Sequence, residues 1–301
     1  MAGIFHTARI KGARRQKMLD DTVGRFPGIF ASRDTAAAYM NQIIMPHSRR
    51  WAYCGNGKSG TSSTKRFLFE LEFATPLTAG LKLTSDINPD VAAHHLATAD
   101  VFRPVSFMGK GLDAINNTLR LTTVRHPAAR AVSAFLYLCR SDDESHVWFA
   151  RDRLRMNALV GFDWNRDTKT ASGFVKFLRF IEITIAEAGA DTVNAHWRPQ
   201  VDNIKPEIFR PHLVGHTENL ESFYRAIARR LDRPLAPDWH APIANRAEST
   251  DTGSALLTPE AVRLLNRIYR ADFDTFGYDP DTSATTAFNV ADLSKSAGAK
   301  R

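Results

Sequence analysis

Two short stretches have strand character, and each is followed by helical periodicity. Trp51, Ala52, Tyr53 and Cys54 form an unbroken apolar run that Gly55-Asn56-Gly57 ends. From Thr64 the pattern changes, and Phe67, Leu68 and Leu71 recur at the spacing of one helix face. The second stretch, Leu119-Arg-Leu-Thr-Thr-Val-Arg125, reads as a buried strand, and Pro127 suits the first position of a following helix. Val132, Phe135, Leu136 and Cys139 mark that helix's apolar stripe. Ser133 lies off the stripe, on the side of Arg130 and Tyr137.

The remaining pattern is plainer. A short helix is expected around Thr35–Ile44, a turn at Pro76 and Gly80, and a short strand through Leu81, Leu83 and Ile87. Helices are expected at His146–Leu159, Ser172–Ala188 and Tyr224–Leu231. In the second of these, Phe174, Phe177, Leu178, Ile181 and Ile185 form a core stripe, and Gly189 stops it. Pro234–Ser254 reads as a loop. Thr258-Pro259-Glu260 then offers an N-cap, a proline at the first helical position and an acid in the first turn, predicting a helix on to Phe276. From Asp279 the residues are small and polar, so residues 279–301 are expected to be a disordered tail. The chain has no internal repeats.

Candidate chemistry concentrates where the first strand meets its helix. Gly55 and Gly57 allow a tight turn, and a helix N-terminus presents unpaired N–H groups and the positive end of its dipole. Lys58, Ser59, Gly60, Thr61, Ser62 and Ser63 occupy that junction. The combination reads as a phosphate cradle. Its bland counterpart is a Gly/Ser turn before a helix. The nucleoside-triphosphate loop G-x-x-x-x-G-K-[ST] matches at Gly57-Lys58-Ser59, but its first glycine falls on Ala52, inside the strand.

The length, 301 residues, suits one large α/β domain, and a hydrophobic fraction of 44% supports a core. The net charge of +8 favours anionic ligands without naming one. No zinc-finger spacing, aromatic RNA-binding signature or basic helix with heptads points to nucleic acid. The two cysteines, Cys54 and Cys139, sit in apolar patterns, so they read as buried thiols in a reducing, cytoplasmic setting. No apolar run reaches the length of a membrane span. Residues 1–49 are basic, with Arg9, Lys11, Arg14, Arg15 and Lys17, and read as an N-terminal extension without a secretory core.

The Lys58–Ser63 junction resembles the 5′-phosphosulfate loop of sulfotransferases that use 3′-phosphoadenosine-5′-phosphosulfate (PAPS). Arg125, Arg130 and Ser133 resemble that family's 3′-phosphate signature, V-R-[D/N/H]-P followed by a basic residue and a serine. A dianionic phosphate without a metal calls for an arginine fork and a hydroxyl. Asn194-Ala-His-Trp-Arg-Pro-Gln200, Leu213-Val-Gly-His-Thr-Glu-Asn-Leu220 and Tyr269-Arg-Ala-Asp-Phe-Asp-Thr-Phe-Gly-Tyr278 resemble segments of the carbohydrate branch of the family, sulfotransferase family 2. The chain departs from it at Gly57, and at His126 where Asp or Asn is usual.

The resemblance covers about residues 50–278. It implies a single P-loop-like α/β domain, a parallel sheet flanked by helices, with PAPS as donor, a hydroxyl acceptor of carbohydrate type and no metal. It places the catalytic base between the cradle and the arginine strand, where His94 and His95 are the histidines present; only one of an adjacent pair on a helix would face the site. Lys58 would neutralise charge on the leaving group, and His196 would touch acceptor or cofactor or simply hold its loop. Two other readings stand beside this one. A P-loop kinase or NTPase would need an Asp where the second strand ends in Arg125. A non-catalytic binder of anionic polymer or nucleic acid would explain the charge but not the paired phosphate signatures.

Overall fold

Residues 12–45, most of the expected basic extension, are built into the core. α1 (Gly12–Arg25) buries Met18 and Leu19, and α2 (Arg33–Gln42) buries Ala36, Tyr39 and Met40. A reciprocal capping box starts α2: Ser32 Oγ accepts from the Thr35 amide and Thr35 Oγ1 accepts from the Ser32 amide. The expected helix through Ile44 stops at Gln42, because Ile43–Met45 leaves it as β1, a fully buried strand. The structure, a computed structural model, describes residues 4–6, 8–83, 86–88, 90–241 and 250–280, without the side chains of 250–252. The expected tail beyond residue 280 lies outside the described residues, as do residues 242–249 of the expected loop.

β2 (Trp51–Cys54) follows, then α3 (Thr61–Phe73), the short α4 (Ala92–His95) and β3 (Arg103–Pro104). β4 (Leu119–Val124) leads into α5 (Pro127–Asp143), with Pro127 at its start as expected. After these come α6 (Ala150–Val160), α7 (Ala171–Ala188), α8 (Gln200–Ile204), α9 (Pro206–Phe209) and β5 (Leu213–His216). α10 (Leu220–Arg230), α11 (Thr250–Ala255), α12 (Pro259–Ile268) and α13 (Arg270–Phe276) complete the chain.

The sheet order is β3-β1-β2-β4-β5. β2, β4 and β5 run parallel, as expected for this α/β class, whereas β1 is antiparallel to both neighbours, so the sheet is mixed. The residues described between Leu81 and Ile87 form no strand; Asp90 instead accepts the Leu81 amide. The first predicted helix after α5 begins later than His146, because Phe149 takes a left-handed φ of 63° at the entry to α6. The predicted 261–276 helix is two, since Tyr269 breaks the helical geometry between α12 and α13.

Both faces of the sheet are covered. Trp51 and Tyr53 alternate with Ala52 and Cys54, and the first pair packs with Phe67, Leu68 and Tyr224 of α3 and α10. The second pair packs into the larger cluster with Phe135, Phe177, Leu265 and Phe273. Strands buried on both faces are the expected condition of a parallel sheet. Cys54 and Cys139 are fully buried free thiols, and burial pushes both up to about 12, so neither is a reactive thiolate at neutral pH.

The parallel register decides where the site forms. Cys54 pairs with Thr122, and Val124 with His216, so the chain leaves all three strands at one edge. Ligands of parallel α/β sheets bind at that edge. On β5, Gly215 faces Phe223 of α10, and a methyl group there would overlap the ring. Gly215→Ala is therefore expected to destabilise the fold by about 1–3 kcal/mol through overpacking. Urea unfolding with an unchanged slope and a lower midpoint checks this.

Candidate active site

The loop Gly55–Gly60 joins β2 to α3 and is held on several sides. The Gly55 amide donates to Gln42 O at 2.9 Å, and Thr61 Oγ1 to Asn56 O at 2.7 Å. Gly57 packs so closely on residues 195 and 196 that a Cβ there would sit 3.2 Å from Ala195 O and 3.3 Å from His196 Cα. Gly60 has φ 72° and forms the N-cap of α3. Lys58 is also left-handed, at φ 64°, a strained conformation for a lysine that the surrounding contacts must impose.

Those contacts come chiefly from Arg130 on α5. Its guanidinium is 1% exposed and donates to Gly57 O at 2.8 Å, Arg198 O at 2.7 Å, Ala195 O at 2.9 Å and Asn56 Oδ1 at 3.4 Å. Arg130, read from the sequence within the 3′-phosphate signature, is spent on the loop. Gln200, at the start of α8, ties the same loop to the end of β4. Its Oε1 accepts from Asn56 Nδ2 at 2.9 Å, Ser59 Oγ at 3.1 Å and the Arg125 amide at 2.9 Å. Its Nε2 donates to Arg125 O at 2.8 Å. Buried Asp272 of α13 holds Gln200 in turn, accepting the Gln200 and Val201 amides at 2.8 and 2.9 Å.

The predicted phosphate-binding residues therefore divide. The Ser59 hydroxyl turns inward to Gln200, and Ser63 is buried on α3. Thr61 is committed to Asn56 O. Ser62 faces outward, its Oγ 3.0 Å from His94 Nε2. Arg125 reaches the cradle, with one guanidinium nitrogen 3.4 Å from Lys58 O. Ser133 lies partly exposed on α5, outside this network. His126 turns away from the edge, packing edge-on to Phe273 and Tyr278 while its amide donates to Glu218.

Lys58 extends over the ring of Tyr137, with its Nζ 4.0 Å from the centroid, a cation–π contact. Asn88 donates to the Tyr137 hydroxyl at 2.8 Å. Among the described residues neither Lys58, Lys65, Arg125 nor Arg130 forms an ion pair with a carboxylate. Burial, followed by repulsion from Arg125, Arg140 and Arg130, lowers Lys58 to about 7. Burial lowers Lys65 to about 8. The result is a crowd of cations in which burial and mutual repulsion outweigh the carboxylates Glu218 and Asp272 nearby, and anion binding relieves it.

The structure separates the two adjacent histidines. His94 meets Ser62, whereas His95 turns to Thr98, with its Nδ1 3.1 Å from Thr98 Oγ1. Desolvation and then the charge of Lys65 lower His94 to about 4, although its ring keeps accessible surface, as in a side chain facing a concavity. His196 stands on the other side of Lys58. Its Nδ1 lies 2.9 Å from Asn194 Oδ1, and its ring packs against Tyr137 and Phe149. Desolvation and then Lys58 lower it to about 3. Both imidazoles are neutral at pH 7. Among the described residues no group of three or more His, Cys, Asp or Glu could hold a metal ion, and no helix is long and apolar enough to cross a membrane.

Asn56, Gln200, Asn203, Tyr137 and Asp272 were given no role from the sequence. Asn56 and Gln200 stand inside the two motifs already singled out, and a buried amide at a turn is the signal that could have marked them.

A parallel-strand edge carrying a glycine turn, a helix N-terminus and several cations is, in an α/β protein, an arrangement suited to an anionic ligand. More narrowly, the chain belongs to the sulfotransferase family, whose model, Sulfotransfer_2, matches residues 41–279. No curated protein and no solved structure matches the chain. The match begins within α2 and so includes β1, in keeping with the place of that strand in the sheet.

The lowered Lys58 has a measurable consequence. An anion binds the ammonium form and raises its pKa, so affinity falls as pH rises through about 7. At pH 8, where phosphate groups are fully ionised, binding of 3′-phosphoadenosine-5′-phosphate is expected to take up close to one proton. Calorimetry in buffers of different ionisation enthalpy measures this, and Lys58→Arg should abolish the uptake.

Proposed function

We propose that this protein transfers a sulfuryl group from PAPS to a hydroxyl of a carbohydrate acceptor, with His94 as the base. The observation that carries this reading is the cluster of Lys58, Arg125 and the α3 N-terminus at one strand edge, neither cation ion-paired with a carboxylate among the described residues, with His94 bonded to Ser62 beside it. The donor supplies an activated sulfuryl group on a phosphate leaving group. The loop amides and Ser62 hold its 5′ end; Ser59, Thr61 and Ser63 support the turn from inside. Arg125 and Ser133 take its 3′-phosphate.

Sulfuryl transfer resembles phosphoryl transfer in that positioning and charge stabilisation dominate. The acceptor oxygen bonds to sulfur as the bond to the bridging oxygen breaks. Lys58 stabilises the charge that grows on that oxygen, and it does so most strongly in a site with few competing counter-charges. His94 removes the acceptor proton. An imidazole at about 4 is a weak base, but a bound polyanion raises it, so the donor itself prepares the base. His196, held by Asn194, lines the acceptor side with Tyr137 and Phe149. A positive field also suits an acidic glycan. Two buried free thiols fit a reducing, cytoplasmic setting.

The reading requires recognition of the 3′-phosphate. The protein is expected to bind 3′-phosphoadenosine-5′-phosphate at least tenfold more tightly than AMP by calorimetry; equal affinities would remove the basis of the assignment. A mass-spectrometric screen for a gain of one sulfate across glycans and small alcohols identifies the acceptor.

The histidines give a separate check. His94→Ala is expected to lose at least a hundredfold in turnover while nucleotide binding persists, the scale of one general base. His95→Ala should stay near wild type, and His196→Ala should raise the acceptor KM. Turnover retained in His94→Ala but lost in His196→Ala would reverse the two roles.

A further inference from the structure

Gln200 stands between the two loops that the proposed function assigns to opposite ends of one ligand. It is fully buried, and its side chain makes four hydrogen bonds. Two run to the cradle loop, to Asn56 Nδ2 and Ser59 Oγ. The other two run to Arg125, where the amide takes the backbone N–H and C=O of one residue together, as a neighbouring strand would. This planar group thus ties the cradle loop to the backbone of Arg125, alongside the bonds from Asn56 Nδ2 to Thr123 O and from the Arg125 guanidinium to Lys58 O. Asp272 fixes the group itself from below through the Gln200 and Val201 amides.

We propose that Gln200 is a positioning residue that couples the 5′-phosphosulfate and 3′-phosphate subsites, so that neither is recognised at full strength without the other. This rests on the reading of the protein as a PAPS-dependent enzyme. The physical basis is that one acceptor atom, Oε1, is shared by donors from both loops, so displacement of either loop changes the geometry offered to the other. Coupling of this kind is a free energy between sites and is reciprocal. Loss of a contact on the 5′ side must therefore weaken recognition on the 3′ side. A residue that only stabilises the fold has no such consequence, since it changes affinity for all nucleotides alike.

Ser59→Ala is the sharper test, because that hydroxyl belongs to the 5′ loop and donates to the same Gln200 Oε1 that accepts the Arg125 amide. Gln200→Met, of similar length and without the amide, is the stronger one. Affinities for 3′-phosphoadenosine-5′-phosphate and for AMP are measured by calorimetry on each full-length variant, with circular dichroism confirming that it is folded. The preference for the bisphosphate over AMP is expected to fall about threefold in Ser59→Ala and about tenfold in Gln200→Met. Should Gln200→Met fail to fold, Ser59→Ala decides alone. A wild-type preference that survives in the folded variants overturns the coupling, even if both affinities drop together. Equal affinities in the wild type would instead defeat the functional reading beneath it.

Discussion

A buried guanidinium without a carboxylate organises this site. Arg130 sits at the base of α5, and its charge is met by three backbone carbonyls and one side-chain amide oxygen. An isolated buried charge is costly, and hydrogen bonds to its donors are what make it tolerable. The carbonyls belong to Gly57, Ala195 and Arg198, so the same bonds draw the cradle loop and the 194–198 segment onto α5. Two segments far apart in sequence become neighbours because one cation needs acceptors from both. A carboxylate in that place would have solvated Arg130 equally well, but it would also have neutralised the cradle.

The field of the site follows from that choice. Lys58 is held over Tyr137 among Arg125, Arg130 and Arg140, and its lowered pKa follows from desolvation first and then from repulsion by these arginines. Its left-handed backbone is a second strain at the same residue. Strain concentrated at one residue is characteristic of functional loops, where surrounding structure over-determines the conformation. Here the surrounding structure is the set of polar contacts from Asn56, Arg130, Gln200 and Asp272. Preorganisation of this kind avoids reorganisation when an anion arrives. The neutral state of His94 belongs to the same field, since Lys65 and Lys58 both oppose its protonation.

Much of the architecture was legible as pattern. Trp51–Cys54 is a short apolar run stopped by Gly55, and Leu119–Val124 is rich in Leu and β-branched residues before Pro127, patterns with few solutions other than a strand. The stripe Phe174, Phe177, Leu178 and Ile181 is buried as its spacing implies. The misreadings have local causes. Ile43–Met45 continues the apolar pattern of α2 but pairs with β2, and strand pairing is not a local property. Tyr269 continues the helical period yet gives its hydroxyl to Trp197 O, and the helix breaks there. Arg9, Lys11, Arg14, Arg15 and Lys17 read as a solvated extension, but Met18 and Leu19 beside them are core.

The sequence by itself determined the cradle: a glycine turn, a lysine and hydroxyls at a helix N-terminus are encoded within ten residues, and local chain geometry alone brings them together. It also determined that Arg125 stands at the exit of a strand, one residue past its last position, and that His94 and His95 differ in direction by the helical rotation between them. Only the tertiary structure decided which histidine meets Ser62, because that depends on how α4 docks against α3. Only it decided that Ser59 turns inward while Ser62 turns out, and that Arg130 serves the loop rather than remaining open to a ligand. Each of those outcomes depends on acceptors lying 65 to 141 residues away or on the packing of separate elements, information that no local window of the chain contains.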